Sequence, residues 1–445
     1  MTLQEKFIEK LPGGWTAVTL EDYISIAGRI GWRGLKKEEY LTEGVPLLAV
    51  KDILENGSIN FDVTNHLSDF RYEESPEIQL RNQDVLVTKD GTIGKIGFVE
   101  NLPTKVTVNS SILVVRSCKA ILPKYLFYYF RGPKFQELVR QKTAGTAVPH
   151  LFQHDIKKFE IHIPPFNEQL RIVGKVEELF SFLDAGVASL REVQKQLKRY
   201  RQAVLKQAFQ VEGNHIVPFS NVVESYQNGL SKRRSDEGKP INVLRLADIE
   251  NGVITAKAPR TIKLTNDEEQ KYSLSKNDLL CIRVNGSKSN TGQLVVFIQK
   301  EPWAFCDHLI RIRLQKGIES QYVKHYFDSQ IARKHIESSI ISSAGQNTIS
   351  QGSLSKIPFP LLDSVKQKAI IDYIQTGFSI IEYNEQILEQ SLRQSFSLRQ
   401  SILNRAFSGK LVPQNHADET AEKLVERIKT ERLSNRSKNQ SSGVV

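Results

Sequence analysis

Cysteine is scarce in this chain of 445 residues, and long apolar runs are missing. The three cysteines, Cys118, Cys281 and Cys306, are far apart in the sequence and form no CxxC pair. This pattern argues against a disulfide framework and against a cysteine-rich zinc site. No stretch of about eighteen apolar residues is available to cross a membrane, and the charged N-terminus lacks the apolar core of a signal peptide. We therefore expect a cytoplasmic protein.

Motifs for catalysis are also missing. The sequence contains no phosphate-binding GxxxxGK(S/T) loop, no GxGxxG and no zinc-binding HExxH. The run Ile163–Phe166 resembles the (Asp/Asn)-Pro-Pro-(Tyr/Phe) motif of amino-group methyltransferases, but Ile163 cannot accept a hydrogen bond from an amine. His150, His154 and His162 form a weak trio that we interpret as structural. We predict no catalytic residue, no metal site and no cofactor in this chain.

Positive charge is in excess, with 61 Lys and Arg against 50 Asp and Glu and a formal net charge of +11. A basic surplus favours a polyanionic partner, because Lys and Arg neutralise phosphates and release counterions. Hydrophobic residues make up 40% of the chain, enough for substantial cores. Many basic proteins bind nothing anionic, so charge alone leaves nucleic-acid binding open.

The chain contains an internal repeat. Gln169–Phe209 aligns without gaps on Gln367–Phe407 at a constant offset of 198, and 11 of the 41 positions are identical. Other pairs exchange one aliphatic residue for another, such as Val176 and Ile374, Leu183 and Ile381, and Val204 and Ile402. A match of this length and register indicates two copies of one unit.

Both repeated runs have an apolar residue at every seventh position. The series is Val176, Leu183, Leu190, Leu197 and Val204 in the first run, and Ile374, Ile381, Leu388 and Ile402 in the second, where Ser395 interrupts it. This periodicity predicts long helices that pack on one another, each about 60 Å long. The alternative is that each helix packs on its own domain as ordinary core.

The segments that precede the two runs correspond more loosely. Asp84–Gly91 matches Asp278–Gly286 with one residue inserted, and Tyr125 matches Tyr322. Short β-branched runs between Gly- and Asn-rich turns, followed by an aromatic-rich helix, predict a mixed α/β domain in each copy. The predicted strands are Leu47–Lys51, Asp84–Lys89, Ile96–Glu100, Ser111–Arg116, Val243–Leu246, Asp278–Arg283, Gln293–Ile298 and Leu309–Leu314, and the predicted helices are Pro123–Val139 and Gln321–Ile336.

The predicted fold class is α+β, with two globular mixed α/β domains alternating with two long helices in a pseudo-two-fold internal repeat. The predicted boundaries are 1–162 for the first domain, 163–212 for the first long helix, 213–357 for the second domain and 358–411 for the second long helix. Residues 412–445 are predicted to form a short charged helix, Asp418–Leu433, and a disordered tail.

Two loops at matching places in the repeat are rich in Arg, Lys, Asn and Ser. Arg and Lys suit phosphates and guanine edges, and Asn suits adenine. A third loop, Gln346–Thr348, lies opposite Thr146–Val148. A solvated basic loop is the alternative interpretation of each. The candidate DNA-binding residues are Arg29, Trp32, Arg33, Lys36, Lys37, Lys89, Thr92, Lys95, Lys232, Arg233, Arg234, Arg283, Asn285, Ser287, Lys288, Asn290, Gln346 and Asn347.

The ends of the long helices resemble those of a known family, the specificity subunits of type I restriction-modification systems. Ile163–Gln169 resembles that family's IPxPxxEQ signature, Arg201–Phe209 and Arg399–Leu411 resemble its helix ends, and Gly13–Trp15 resembles its usual opening. The second copy of the signature, Phe359–Gln367, departs from the pattern because it lacks the second proline and the Glu.

This resemblance implies two target recognition domains held apart by an antiparallel coiled coil of the two long helices. The domains would bind the two parts of an asymmetric double-stranded DNA site. Two modification subunits, which bind S-adenosylmethionine and methylate adenine, and translocating restriction subunits are the implied partners, and ATP and Mg are expected only there. The chain itself would be a non-catalytic DNA-recognition subunit. A methyltransferase, and a coiled-coil DNA-binding scaffold or regulator of a related phage-defence system, are the alternatives.

Overall fold

The computed structural model describes residues 11–29, 35–144, 149–210, 215–250, 252–255, 259–299, 302–343 and 345–441, without the side chains of residue 37 and residues 432–441. The chain divides into two compact units. The first unit comprises Met1–Ala188 and Ser391–Val445, and the second comprises Ser189–Gln390. Each unit contains one mixed domain together with part of each long helix.

The domain of the first unit has nine strands and four helices among the described residues. The strands are β1 (Thr16–Thr19), β2 (Ile24–Ala27), β3 (Val45–Leu48), β4 (His66–Leu67), β5 (Val85–Thr88), β6 (Ile96–Phe98), β7 (Thr107–Val108), β8 (Ile112–Ser117) and β9 (Glu160–Ile163). The helices are α1 (Asp69–Glu73), α2 (Pro123–Arg131), α3 (Pro133–Thr143) and α4 (Gln153–Lys157). Strand β9 leads into the first long helix, α5 (Phe166–Phe209).

The domain of the second unit follows the same order. Its strands are β10 (His215–Pro218), β11 (Val223–Asn228), β12 (Lys239–Leu244), β13 (Ile249–Glu250), β14 (Val253–Ile254), β15 (Arg260–Leu264), β16 (Leu279–Ile282), β17 (Val284–Asn285), β18 (Leu294–Val296), β19 (Trp303–Phe305), β20 (Leu309–Leu314), β21 (Ile341–Ser343), β22 (Gln346–Thr348) and β23 (Pro358–Leu361). Its helices are α6 (Asn266–Tyr272), α7 (Ser320–Asp328), α8 (Gln330–Ser338) and α9 (Gln351–Ser355). The second long helix, α10 (Ser364–Phe407), comes next.

The sheets of the two units have equivalent topologies. A four-stranded antiparallel sheet has the order β2-β8-β5-β6 in the first unit and β11-β20-β16-β18 in the second. A three-stranded sheet has the orders β4-β3-β7 and β15-β12-β19, and a two-stranded sheet pairs β1 with β9 and β10 with β23. The internal repeat predicted from the sequence is therefore confirmed as a repeat of the fold. The second unit adds the small sheet β17-β22-β21.

A buried glutamine near the start of each long helix fixes the helix to its domain. The side chain of Gln169 accepts a hydrogen bond from Leu122 N–H at 2.8 Å and donates to the carbonyls of Ala120 and Pro164 at 2.9 and 3.2 Å. Gln367 repeats the first of these contacts, accepting from Glu319 N–H at 2.8 Å. The Gln that the sequence signature contains is thus a structural connector between domain and helix.

Replacing Gln169 with Ala is expected to destabilise the protein by about 2–4 kcal/mol, because one N–H and two carbonyls lose their partner in a buried place. The free energy of unfolding measured with urea tests this expectation. Gln194→Ala, on the exposed face of α5, is the matched control and should change the stability by less than about 0.5 kcal/mol. Equal, small effects of the two substitutions would contradict the connector role.

The helix expected at Pro123–Val139 is interrupted in the structure, which is a correction. Helix α2 ends at Arg131 and α3 begins at Pro133, because proline has no N–H to continue the hydrogen-bond ladder and restricts the residue before it. In the second unit Ser329 makes the equivalent break, and its hydroxyl accepts a hydrogen bond from Ala332 N–H. The apolar periodicity continues across both breaks, and the predicted single helices followed it rather than the Gly132-Pro133 pair.

The two long helices are 44 residues each and pair in the antiparallel sense. In the second unit the Tyr373 hydroxyl donates to Gln207 Oε1 at 2.8 Å, and the Arg201 guanidinium lies 3.4 Å from the Glu385 carboxylate. As the residue number rises along α5, the residue number of its partner on α10 falls, so the two helices are antiparallel. Val176 in the first unit and Ile374 and Ile381 in the second are fully buried. The packing of the two long helices on one another, which the heptads predicted, is confirmed, and so is the antiparallel sense that the family resemblance implied.

A histidine of the second unit replaces a tyrosine of the first where the domain meets the helix pair. His325 contacts Phe378 edge-on with ring centroids 5.6 Å apart, and Tyr128 contacts Phe180 in the same way at 5.7 Å. Burial, with a smaller contribution from the charge of Lys324, lowers the pKa of His325 to about 4. His325 is therefore neutral at pH 7.

Acidification is expected to destabilise the protein through His325. An unfolded histidine has a pKa near 6.5, so its stabilisation is complete above this pH and is lost as the pH falls towards about 4. The loss reaches about 3 kcal/mol at the lower end. Unfolding midpoints at pH 7.5 and 4.5 should differ less for His325→Tyr than for the wild type, whereas the exposed-site control His335→Gln should behave like the wild type. Parallel pH curves for His325→Tyr and the wild type would contradict this.

The C-terminal helix, α11 (Ala421–Ser441), continues beyond the expected end at Leu433. Residues 434–441 were expected to be disordered, but they contain neither Gly nor Pro and continue a helix without interruption. Ala421, Leu424, Val425 and Ile428 are buried in the core of the first unit. None of the helices in the described part of the chain has the length and apolarity that a bilayer crossing requires.

Candidate nucleic-acid interface

In the second unit the ends of several strands bring the predicted loops together. The N–H of Arg283, directly after β16, donates to the His308 carbonyl at 2.8 Å, and the Arg283 carbonyl accepts from Ile349 N–H at 3.0 Å. These two backbone bonds place the loop after β16 between the β19–β20 connection and the segment after β22. The Arg283 guanidinium donates to the Asp307 carbonyl at 3.2 Å.

Amide side chains connect these segments to one another. The Asn347 side-chain amide donates to the carbonyls of Asn285 and Gly286 at 3.4 and 3.0 Å, and Asn347 Oδ1 accepts from the Ser342 hydroxyl at 2.6 Å. Side-chain hydrogen bonds thus hold the small sheet β17-β22-β21 together in addition to the backbone hydrogen bonds between its strands. Amide groups present both donors and acceptors, which is what reading of base edges requires.

The end of β11 lies next to the segment that follows β22. Gln351, the first residue of α9, donates from Nε2 to Asn228 Oδ1 at 2.8 Å. Asn228 is exposed, and so are Ser287, Lys288, Asn290 and Gln346. We refer to Asn228, Arg283, Asn285, Asn347 and Gln351 as the second loop cluster.

The first unit has a corresponding arrangement with different side chains. Lys89 N–H, directly after β5, donates to the Ser111 carbonyl at 2.8 Å, and the Lys89 carbonyl accepts from Leu151 N–H at 3.1 Å. The His150 ring hydrogen-bonds to the Asp90 carboxylate. Gly28, at the end of β2, lies against Gln153, whose Nε2 is 3.7 Å from where a Cβ of residue 28 would stand. We refer to Lys89, Asp90, His150, Phe152 and Gln153 as the first loop cluster.

The two clusters occupy the same positions of the repeated fold. The N–H groups of Lys89 and Arg283 donate to the carbonyl of the residue directly before β8 and β20 respectively, and their carbonyls accept from Leu151 and Ile349. The backbone hydrogen bonds match within 0.1 Å, at 2.8 and 2.8 Å and at 3.1 and 3.0 Å. The framework is therefore equivalent in the two units, and the side chains that it presents are not.

The predicted DNA-binding residues have different environments in the structure. Lys36, Thr92, Arg233 and Arg234 are exposed, while Lys89 and Lys95 are half-buried. Lys95 Nζ donates to the Val50 carbonyl at 3.4 Å, and Lys232 Nζ pairs with the Glu268 carboxylate at 3.1 Å. Trp32, Arg33 and the loop at Thr146–Val148 lie outside the described residues, and so does the side chain of Lys37.

Arg29 differs from the other candidates because it is buried, with 4% of its surface exposed. No hydrogen-bond partner for its three guanidinium nitrogens is present among the described residues. Burial, with the nearby charge of Arg71, lowers its pKa. In this conformation its side chain could not reach DNA, so its predicted role requires it to move.

Sequence reasoning missed several members of the clusters. His150 was interpreted as structural, and Gln351 was not considered. Phe152 was not a candidate because its side chain has neither a charge nor an amide. Each of them is brought to its cluster by the segment that follows the aromatic helices, at Leu151 or Ile349. The one available signal was the recurrence of an apolar residue at these two positions, with polar or aromatic residues on both sides.

The described residues offer one group of possible metal ligands, Cys306, Asp307 and His308, which lie beside Arg283. Burial raises the pKa of the Cys306 thiol, and a metal requires the thiolate. The three residues are consecutive, and the Asp307 carboxylate already lies 3.1 Å from His308 Nδ1. Their chemistry fits a local hydrogen-bonded turn better than a metal centre.

The sequence model described as the type I restriction modification DNA specificity domain matches this chain twice, at residues 12–197 and 219–391. The chain belongs to this family. The two matches correspond to the two copies of the internal repeat, and the resemblance seen at the helix ends is thereby confirmed.

Curated members of the type I specificity family are similar over nearly their whole length. The StySPI specificity subunit of Salmonella potsdam is 28% identical over 95% of this chain and 96% of its own length. The EcoKI specificity subunit of Escherichia coli K12 is 26% identical over 97% of this chain and 98% of its own. These relatives are named as specificity subunits of restriction enzymes.

Solved structures share the fold of this type I specificity family member. A chain from a study of complex assembly and conformational transition of the type I R-M system has a TM-score of 0.69 at 21% identity, covering 90% of this chain and all of that one. The HsdS subunit of Thermoanaerobacter tengcongensis has a TM-score of 0.53 at 20% identity, covering 90% of this chain and 98% of its own.

Proposed function

We propose that this chain is the non-catalytic specificity subunit of a type I restriction-modification complex, and that it binds an asymmetric, two-part double-stranded DNA site. Each loop cluster would read one part. The observation that carries the proposal is the pairing of an equivalent framework with different side chains, Lys89, Asp90 and His150 in one unit and Arg283, Asn285 and Asn347 in the other.

The chemistry of the clusters suits base reading in the major groove. Arg283 offers a guanidinium for the O6 and N7 atoms of guanine, and the amide of Asn285 can pair with adenine. The Asn347 amide holds the Asn285–Gly286 backbone in place. Exposed Arg233, Arg234 and Lys288 are available for phosphates, which fix position without reading sequence. Two readers with different side chains favour two different half-sites, so a palindromic site would refute the proposal.

Methylation and cleavage would belong to partner subunits. Two modification subunits, carrying S-adenosylmethionine, would methylate adenine, and restriction subunits, using ATP and Mg, would translocate and cut the DNA. The chain supplies the target and no catalytic group. This division agrees with the absence from its sequence of a glycine-rich cofactor loop and of an acceptor at Ile163.

Selection from a random DNA library tests the proposal. The complex of this chain with its modification subunit is expected to enrich one two-part motif with a fixed unspecified spacer. The modification subunit alone is the control and should enrich none. Tight, unselective binding by this chain without any partner would favour a DNA-binding scaffold or a regulator of a related defence system instead.

A further inference from the structure

An exposed aromatic ring stands in the first loop cluster. Phe152 has half of its surface exposed, although phenylalanine is usually buried. Its ring lies between two imidazoles, with centroids 4.3 Å from His150 and 5.4 Å from His154. The His154 ring is nearly parallel to it, at 19°. The three rings form one row on the surface of the first unit.

The row is held in place at His150 and at Phe152. His150 is fixed by its hydrogen bond to Asp90. The backbone N–H of Phe152 donates to Asp155 Oδ2 at 3.0 Å, and the Asp155 carboxylate is itself paired with Lys142 at 2.7 Å. The ring is therefore presented by fixed neighbours and is not the end of a loose loop.

The second unit has no such row at the equivalent place. Leu151 and Ile349 make the same backbone hydrogen bond to the residue after β5 or β16, so Phe152 corresponds to Ser350 and His150 to Thr348. The Ser350 hydroxyl caps α9 by accepting from Ser353 N–H. The framework position is shared, and only the first unit fills it with an apolar group.

We propose that Phe152 is a specificity-determining residue that contacts the C5-methyl group of a thymine in the half-site read by the first unit. This inference rests on the proposed function. The thymine methyl is the one apolar feature that base pairs present in the major groove, and apolar side chains contact it. Phe152 is the apolar member of a cluster whose other members, Lys89, Asp90, His150 and Gln153, offer hydrogen bonds or charge.

Deoxyuridine substitution tests the contact, because it removes the methyl group and leaves every hydrogen-bonding group of thymine in place. The complex of the full chain with its modification subunit is titrated with duplexes in which each thymine of that half-site is replaced in turn. The half-site is identified as the one that Lys89→Ala relaxes. Wild-type complex is expected to bind about fourfold more weakly at one position, the value for one buried methyl-sized group.

Phe152→Ala should bind the thymine and uracil duplexes equally, and Phe152→Leu should retain part of the difference. Because the ring is half-exposed, neither substitution should unfold the unit. The free energy of unfolding measured with urea should not fall by the amount expected for Gln169→Ala. Ser350→Ala is the matched control in the second unit and should keep the full difference.

Two results would overturn the inference: a wild-type complex that is indifferent to uracil at every position of that half-site, or a Phe152→Ala complex that retains the loss. Failure of the complex to select any two-part site would overturn the proposed function itself. The two failures are distinguishable, because the first occurs on DNA that the wild-type complex binds specifically.

Discussion

Deleting one heptad from each long helix shortens the unspecified spacer of the recognised DNA by about three base pairs and leaves both half-sites unchanged. Seven helical residues span about 10.5 Å, and a base pair of B-DNA rises about 3.4 Å. The segments to delete are Leu190–Gln196 and Gln386–Leu392, which are antiparallel partners in the register set by Arg201 with Glu385 and Gln207 with Tyr373.

A whole heptad is the unit to remove, because it keeps the apolar positions of both helices in contact. The remaining series, with Val176, Leu183 and Val204 facing Ile374, Ile381 and Ile402, retains its spacing of seven. Seven residues also fall only about 20° short of two full turns of helix, so the apolar faces of the two helices remain directed at one another. The expected change is therefore in distance rather than in the bases read.

Motif selection with the shortened chain measures both quantities at once. Lys195→Ala, a substitution on the exposed surface of α5 that keeps the length, is the control and should leave the spacer as it is. An unchanged spacer with altered half-sites would show that the helices do not set the distance.

Replacing Arg283 with alanine is expected to weaken binding of the cognate site by about 1–3 kcal/mol, about five- to 150-fold, and to relax the second half-site only. Arg283 occupies the framework position that its backbone bonds to His308 and Ile349 define, and its guanidinium makes a single contact, to the Asp307 carbonyl, among the described residues. Its other N–H donors are available for a guanine edge.

Lys89→Ala is the matched substitution in the first unit, because Lys89 has the equivalent backbone bonds to Ser111 and Leu151. It is expected to affect the first half-site and to cost less, since an ammonium group is a point charge without the planar fork of a guanidinium. Affinities of the two variants are compared at one fixed salt concentration on duplexes altered in either half. Uniform weakening on all DNA by both variants would mean that they contact phosphates alone.

Much of the framework was predictable because the chain carries it twice. Gln169 and Gln367 recur at the same offset as the heptads, and the helix pair follows from that recurrence. The role of the two glutamines as connectors between helix and domain was not predicted. The breaks at Gly132-Pro133 and at Ser329 were not predicted, because the apolar pattern that buries these helices continues across them. The Gly132-Pro133 pair is a helix-breaking signal that this pattern outweighed, whereas Ser329 carries no such signal.

The candidate site was only partly predictable, for a different reason. Lys89 and Arg283 follow recognisable strands, so their places at strand ends could be inferred. His150, Phe152 and Gln351 join them through backbone hydrogen bonds between segments more than 60 residues apart, and pairing at that range has no local signature. Arg29 looked like an exposed basic loop residue, but it is buried, and burial by segments distant in the sequence has no local signature.

Long-read sequencing of adenine methylation tests the central claim most directly. A host expresses the modification subunit with this chain, and a second host expresses the modification subunit alone. The account predicts one asymmetric, two-part, adenine-methylated motif that appears only when this chain is present. A palindromic motif, or the same methylation in both hosts, would contradict it.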